Sequence, residues 1–583
     1  MRLINLSIEN FRRIGSTEVE FAPASFIIGP NNYGKSSIVA AIEALLSLDK
    51  ERISPADFRE KPGSIREDTI KLTGRFGSIA PEVAASRGFR GRVINGVFTY
   101  RKTFSITGKP IIETLEFPSQ IRPEFKSAKT VGEIIDAGID AGTIKSALKL
   151  ENRAEKLPKE WWTAVPEALV FDEKAEPSWV KNPGGIPSNV VSRLPRVLHV
   201  KSFTDVNELQ SSDKKYVLGE CLSILFEDIV AQTPLADEIQ ERLTALQNQM
   251  DPQNEASLIR KLCEDVNVII GDVFPGCGVE VLPSLQGVVD ILRPKYEISI
   301  FSNVKTGADR QGTGLVRTAA FAMLRYHAKM KIEKELQTRP ILAAFEEPEL
   351  YLHPAAANLL RDTIYDLGRS DQIVCTTHSP WMVDLSRDPQ SITRMFDKGD
   401  EGLGAVNYGV STILNRLEVP DRERVKMLLV FDDEVSRVFF SEEVVVVEGD
   451  SELITIKETL KFLDEDSRKN VLARFQVIRA RGKATIISLV KYLKDLCIRP
   501  RVMHDSDVGV EGAEKFNAPI AAAVADAGRL VVLQPNLETV LGYSPPARDK
   551  PFKAYEYVSK WRSKDDIPET WRKQFGLLFG VKL

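Results

Sequence analysis

The sequence is poor in several things that would narrow its function at once. It has only five cysteines, Cys221, Cys263, Cys277, Cys375 and Cys497, and none stands in a C-x-x-C pair. That spacing argues against a disulfide framework or a cysteine zinc site and fits a reducing cytoplasm. Long apolar runs are missing too. A stretch such as 444–447 is far too short to span a bilayer, and the opening MRLINLSIENFRR has no apolar signal region. No membrane association is therefore expected. Charge of one sign is also lacking: the formal net charge is −4, so there is no global basic signature for nucleic acid. A local basic cleft offset by acidic surface elsewhere remains compatible with that balance. There is no internal repeat and no low-complexity tract.

What is present reads as a large globular protein. With 583 residues, 43% hydrophobic and 27% charged, the chain is too long for one core. Short strand patterns occupy 3–8, 17–21 and 25–28, and a helix is expected over 35–48 with Ile38, Ala41, Ile42 and Leu45 on its apolar face. Further strands are expected at 69–76, 97–106, 197–202, 279–282, 296–301, 341–345 and 372–376, while 118–195 shows no organised pattern. A highly charged helical pattern runs through 204–274, and a second α/β pattern begins near Glu442. The domains expected are 1–203 and 278–405, the two parts of one ATPase; 204–277, a helical insert; 406–440, a linker; and 441–583, a second α/β domain.

Residues 29–36, Gly-Pro-Asn-Asn-Tyr-Gly-Lys-Ser, match G-x-x-x-x-G-K-[ST] between a strand and a helix. Backbone amides of such a loop point at phosphates, and the candidates to cradle ATP are Asn31, Asn32, Gly34, Lys35, Ser36 and Ser37. Lys35 brings a point charge to the β/γ oxygens, and the Ser36 hydroxyl is placed to bind Mg²⁺. Downstream, Ile-Leu-Ala-Ala-Phe followed by Glu346 and Glu347 has the form of a buried parallel strand ending in acids. Glu346 would hold Mg²⁺, and Glu347 would orient or deprotonate water. Taken alone, a strand ending in acids usually just reaches solvent. His378 follows another apolar strand and is a candidate γ-phosphate sensor; Gly314 opens an apolar helix whose amides can meet a phosphate, one held by a second subunit.

P-loop, long insert, Gly-rich helix start, acidic strand and His-bearing strand follow the order of an ABC ATPase. Asn10-Phe11-Arg12-Arg13, and Glu-Glu-Pro-Glu followed by Leu352-His353-Pro354, resemble the RecF/SMC-like branch, which makes Arg12 a nucleotide-site candidate. In that branch two subunits sandwich two nucleotides. The Gln-Gly-Thr-Gly segment lacks the usual Ser-Gly-Gly, a departure that weakens the expected contact in trans.

A second constellation is separate from ATP. Glu448-Gly449-Asp450-Ser451-Glu452 follows an apolar strand, and Asp505-Ser506-Asp507 ends another. Carboxylates at the ends of adjacent parallel strands suit Mg²⁺ or Mn²⁺, and a two-metal cluster can cut a phosphodiester. D-x-D alone is very common, but E-G-D-S-E and D-x-D in this order resemble a Toprim domain. Together the halves resemble the OLD (overcoming lysogenization defect) family, over residue 1 to about 544. The resemblance implies an α/β fold: an ABC-type P-loop ATPase with a helical dimerisation insert, then a C-terminal Toprim domain. It also implies metal-dependent DNA cleavage, metal ligands Glu448, Glu452, Asp505 and Asp507 with Glu538 as a further acid, and a lysine aiding the transition state, Lys550 or Lys553. A homodimer acting on DNA is expected, with a role in defence against phage, alone or beside a partner protein or nucleic acid encoded nearby. Arg479, Arg481 and Lys483 form a local basic cluster that can meet phosphates or simply be solvated. Two other readings stay open: a DNA clamp with an inert Toprim scaffold, and a strand transferase using Tyr543 or Tyr555.

Overall fold

The computed structural model describes residues 1–47, 53–60, 66–86, 88–148, 150, 152–159, 161–181, 190–202, 218–219, 221–222, 257–284, 295–301, 305–307, 313–333, 339–350, 352–385, 387, 390–431 and 433–583. The chain forms two compact units, 1–377 with 395–407, and 378–394 with 408–583.

The first unit is built on one large mixed sheet. Its antiparallel wing starts with Arg2–Phe11, which pairs with Ile14–Glu20 on one side and Thr69–Gly77 on the other. The wing strands alternate buried and exposed residues, as strands with one wet face should. Four strands form the parallel core: β1 (Ala24–Ile28), β2 (Arg196–Val200), β3 (Ile341–Glu346) and β4 (Gln372–Thr376). They lie in the order β2-β3-β4-β1. All of β1 and β4 and the first five residues of β3 are buried, which is why they read as unbroken apolar runs. Between β1 and β2 in sequence, α1 (Lys35–Leu46) lays Ile38, Ala41, Ile42 and Leu45 into the main core, the face its spacing dictates. The helix expected over 314–331 is α2 (Thr313–Glu333).

The first part of the unorganised stretch is a small satellite fold, whereas Ser178–Lys181 adds a strand to the large sheet and Val190, Val191 and Leu194 join the main core. Ser119–Ile121 pairs with Leu169–Phe171, and Phe125, Ile134, Ile144 and Trp161 form a core of their own. Short helices with few repeats of their period hid this pattern. The expected helical dimerisation insert, 204–277, lies mostly outside the described residues; its last part is the helix Leu258–Val273.

The second unit departs from the expected boundaries. Residues 406–440, expected to be a linker, are folded: α3 (Val419–Phe431) buries Val425, Leu428 and Leu429. Its sequence reads Asp-Arg-Glu-Arg-Val-Lys over 421–426, so charge on both sides of Val425 masks the apolar stripe. Buried Asp421 on α3 accepts from Ser488 Oγ at 2.6 Å and Lys491 Nζ at 2.5 Å, tying α3 to the helix carrying those residues.

A four-stranded parallel sheet follows: β5 (Glu443–Val447), β6 (Phe475–Arg479), β7 (Arg501–Asp505) and β8 (Leu530–Leu533), in the order β6-β5-β7-β8. Helices α4 (Asp450–Thr459), α5 (Lys483–Asp495), α6 (Leu537–Leu541) and α7 (Lys550–Val558) connect and flank these strands. The last helix, α8 (Glu569–Phe579), seals the core with Trp571 and Phe575, and Trp571 Nε1 donates to Thr459 Oγ1 at 2.8 Å. The final residues, where the family resemblance ends, are thus part of this core. No described helix is long and apolar enough to cross a membrane.

Candidate active sites

The carboxyl ends of β1, β3 and β4 carry the first site, where ligands bind in open parallel sheets. After β1 the chain turns through Gly29 (φ +144°), Asn32 (φ +64°) and Gly34 (φ +78°). A side chain at Gly29 would come within 2.9 Å of the Met395 carbonyl, so this turn requires glycine. Lys35 is buried, and its Nζ donates to the carbonyls of Gly29 at 3.0 Å and Pro30 at 2.9 Å. Burial pulls the lysine down to about 8, against the opposing charge of Glu347. Its ammonium is therefore held over the loop by these two carbonyl oxygens, where a more anionic ligand can take their place. Ser36 is exposed beside it and its hydroxyl bonds Glu346. Serine and acid, distant in sequence, thus meet as a P-loop magnesium site needs.

Glu346 is also held from the other side. The imidazole of His199, on β2, lies 3.3 Å from Glu346 Oε1 and 3.2 Å from Glu43 Oε2. Burial opposes charge on this ring, but the two carboxylates win and push it up to about 9. For Glu346, burial works the other way, and His199, the Ser202 N–H and Ser36 outweigh it, keeping the carboxyl below its usual range. Glu347 sits at φ +44°, a left-handed conformation uncommon for a glutamate, with its N–H bonded to the Thr376 carbonyl at 2.8 Å.

The remaining candidates divide. Arg12 turns to Asp57 at 2.8 Å, whereas its neighbour Arg13 reaches the loop, donating to the Asn32 carbonyl at 2.7 Å. Asn31 and Asn32 are exposed, and Ser37 packs at the first turn of α1. Gly314 is buried within α2, its carbonyl accepting from Thr318 Oγ1 at 2.9 Å. The loop before it, 308–312, lies outside the described residues. His378 is exposed and begins the second unit.

The second site lies at the carboxyl ends of β5, β7 and β8. Glu448 follows β5, and Glu452 is buried one turn into α4, where its Oε2 accepts the Gly449 N–H at 3.0 Å. Asp505 ends β7; the Leu537 N–H donates to its Oδ1 at 2.9 Å, and its own N–H reaches Glu448 Oε2 at 3.4 Å. Asp507 sits at φ +48° with its N–H on the Pro535 carbonyl at 2.8 Å. Glu538, on α6, is 2% exposed, and its Oε2 has no hydrogen-bond partner. Burial, then the charges of Glu452, Glu448, Asp507 and Glu538, push Asp505 up to about 8. Burial and the neighbouring Glu448 and Glu538 push Glu452 up to about 7.

Five oxygen-donor carboxylates crowded into a dry pocket suit a hard divalent cation. The orphaned Glu538 oxygen points the same way, since a buried carboxylate oxygen needs a partner. Among the described residues, no three acids are closed on a common point as a finished cage. Two lysines interleave with them instead. Lys550 Nζ lies 3.8 Å from Glu538 Oε1, and Lys483 Nζ lies 2.6 Å from Asp507 Oδ2. Lys553, the alternative to Lys550, pairs with Glu556 at 2.6 Å on the outer surface of α7.

Comparison with known proteins finds a match in each half of the chain. Residues 1–383 match the family described as an AAA ATPase domain, and 439–507 match the overcoming lysogenization defect protein-like TOPRIM domain. The chain belongs to the AAA ATPase domain family and carries an OLD-like TOPRIM domain. It is similar to the Old nuclease of Escherichia phage P2, 23% identical over 87% of this chain and 77% of that protein. The OLD nuclease of Thermus scotoductus is 24% identical, covering 95% and 94% of the two chains. Endonuclease GajA of Bacillus cereus is 20% identical over 88% of this chain and 76% of that one. The chain is accordingly an ATPase with a TOPRIM nuclease domain.

The structure adds two residues that the motifs did not mark. His199 is one residue of an ordinary alternating strand, and only the pairing of β2 with β3 puts it beside Glu346. Lys483 read as part of a solvent-facing basic cluster; it is instead buried in the acid pocket. Arg479 pairs with Asp450 at 2.6 Å, which leaves Arg481 as the exposed member of that cluster.

Proposed function

We propose that this chain is a divalent-metal-dependent DNA endonuclease whose cleavage is controlled by ATP. The observation that carries this reading is the acid pocket. Glu448, Glu452, Asp505, Asp507 and Glu538 gather beyond the ends of three neighbouring parallel strands, with Lys550 beside Glu538. These five would hold two Mg²⁺ or Mn²⁺ ions. Such ions supply an activated water and stabilise the leaving oxygen of a phosphodiester. The chain's own part is positional. Asp505 is fixed by the Leu537 amide and Glu452 by its own helix start, so the ligand oxygens are set before a substrate arrives. Lys550, half-exposed at the first position of α7, is the lysine placed to meet negative charge growing on the phosphate. Tyr543 lies beside the same acids, but burial and their charge push its phenol up to about 12. That makes the phenol harder to ionise than a free tyrosine.

In the first unit, Lys35 would exchange the Gly29 and Pro30 carbonyls for the phosphates of ATP. Asn31, Asn32, Gly34 and Ser37 would complete the cradle. Ser36 and Glu346 would hold its Mg²⁺, and Glu347 would orient the attacking water. His378 as phosphate sensor, Gly314 acting from a second subunit and Arg12 at the nucleotide rest on the ABC-like order of these segments. A homodimer and a role in phage defence rest on the family resemblance.

Purified protein incubated with supercoiled plasmid and Mg²⁺ or Mn²⁺ tests the reading. Nicking is expected, and Asp505→Ala with Asp507→Ala should abolish it while ATP binding persists. Absence of nicking with either metal would favour an ATP-dependent DNA clamp with an inert Toprim scaffold.

A further inference from the structure

Lys483 is the first residue of α5, and its side chain is 4% exposed. An ammonium is strongly hydrated, so burial to this degree requires compensation from fixed partners. The turn in front of it is built to provide them. Gly482 adopts φ +121°, and its N–H donates to the Glu448 carbonyl at 3.0 Å. The end of β6 is thereby tied to the backbone of the acid that follows β5. From there Nζ reaches Asp507 Oδ2 at 2.6 Å and Asn517 Oδ1 at 3.2 Å. Asn517 in turn donates to the Ser506 carbonyl at 2.7 Å, so the loop carrying Asp507 and the lysine share one anchor. The charge of Lys483 also acts on Glu448, opposing the burial that raises that carboxyl.

Lys550 is different. It approaches Glu538 from solvent at 3.8 Å with half its side chain exposed, and it can swing away. Lys483 has no such route without uncovering a buried charge. The pocket is thus uneven. Around Glu452, Asp505 and Glu538 the cation at hand is the half-exposed Lys550, 3.8 Å from Glu538, while at Asp507 a buried cation is already in contact.

We propose that Lys483 is a built-in competitor for the Asp507 carboxylate, so that divalent ions enter the pocket in two steps of unequal affinity. The first ion enters on the Glu452–Asp505–Glu538 side. The second takes Asp507 only by displacing Lys483 from it, at the cost of parting a buried charge from its partner. This proposal rests on the metal-dependent reading of the acid pocket.

The test is a titration of the nucleotide-free, full-length protein with Mn²⁺, followed by calorimetry and by the electron paramagnetic resonance of the unbound ion. Two steps per chain are expected, the second weaker. Lys483→Met keeps the apolar stem and removes the charge, and it should tighten the second step by about tenfold, the lower range for groups touching metal ligands. Lys483→Arg keeps the charge and should keep the gap. If Lys483→Met folds poorly, Lys483→Gln serves the same purpose. Two equal steps in the wild type, or a second step that Lys483→Met leaves unchanged or weakens, would overturn the proposal. Asp505→Asn with Glu452→Gln assigns the first step to this pocket by removing it. A wild type that binds no Mn²⁺ and nicks no plasmid would remove the metal-dependent reading itself, whereas nicking with two equal steps would remove only the role of Lys483.

Discussion

Lys550→Ala and Lys553→Ala should behave very differently, although the two lysines are neighbours on one helix. Lys550 lies 3.8 Å from a carboxylate that is 2% exposed, and its charge also reaches Glu448. Lys553 holds Glu556 on the surface, a pair one helical turn apart that solvent screens. Removing one fixed donor to developing charge typically costs about a hundred- to a thousandfold in rate, roughly 3–4 kcal/mol of transition-state stabilisation. That loss is expected for Lys550→Ala, and Lys550→Arg should recover part of it because the charge returns in a different shape. Lys553→Ala should nick at the wild-type rate. The assay is single-turnover conversion of supercoiled plasmid to open circle at saturating Mg²⁺. Saturation matters because Lys550→Ala also relieves the charge opposing a cation at Glu538, so metal affinity should not fall. Loss of nicking that is rescued by more Mg²⁺ would mean Lys550 acts through the metal site rather than on the phosphate. A Lys553→Ala enzyme as impaired as Lys550→Ala would refute the assignment.

Two further outcomes follow from the same geometry. Glu347→Gln should retain ATP binding, measured with a fluorescent nucleotide, while steady-state ATP hydrolysis drops by roughly a hundredfold or more, as for loss of a catalytic base; unchanged turnover would exclude Glu347 from that role. Asp421→Asn should destabilise the protein by about 1–2 kcal/mol at neutral pH, since a buried acceptor loses its charged partner. Burial alone would raise the Asp421 carboxyl, but Lys491 and Ser488 outweigh it and hold it below the usual range. A lowered native pKa stabilises above the unfolded value of about 3.9 and stops doing so as pH falls through the native one. The melting-temperature gap between wild type and Asp421→Asn should therefore be present at pH 7 and close below about pH 4. A gap that stays constant into acid would mean that shape, not charge, makes the contact.

Much of both sites was legible because their chemistry is carried by contiguous residues with a fixed local context. The loop 29–36 needs a strand before it and a helix after it, and both are apolar enough to read directly. The acids of 346–347, 448–452 and 505–507 each follow a run of buried residues, and their order along the chain, rather than any one strand end, made them candidates. Legibility failed where helices were short, as in the satellite fold around Trp161, and where charge covered a buried stripe, as on α3.

Neither sequence motif contains the charges that balance its acids. Lys483 reads as one member of a local basic cluster and His199 as one position in a strand, and nothing local distinguishes them from solvated or structural residues. Strand order decides instead. Because β6 lies beside β5, the turn after β6 delivers Lys483 to the acids after β5 and β7. Because β2 lies beside β3, His199 meets Glu346. The physical consequence exceeds packing. Five carboxylates faced by two lysines leave an uncompensated negative charge that a divalent ion can satisfy, whereas Glu346 already shares a buried imidazole and asks less of its ion. The two sites should therefore differ in how strongly they hold a metal before their substrates arrive: the acid pocket binds ions on its own, and the P-loop site requires the charge of the nucleotide as well.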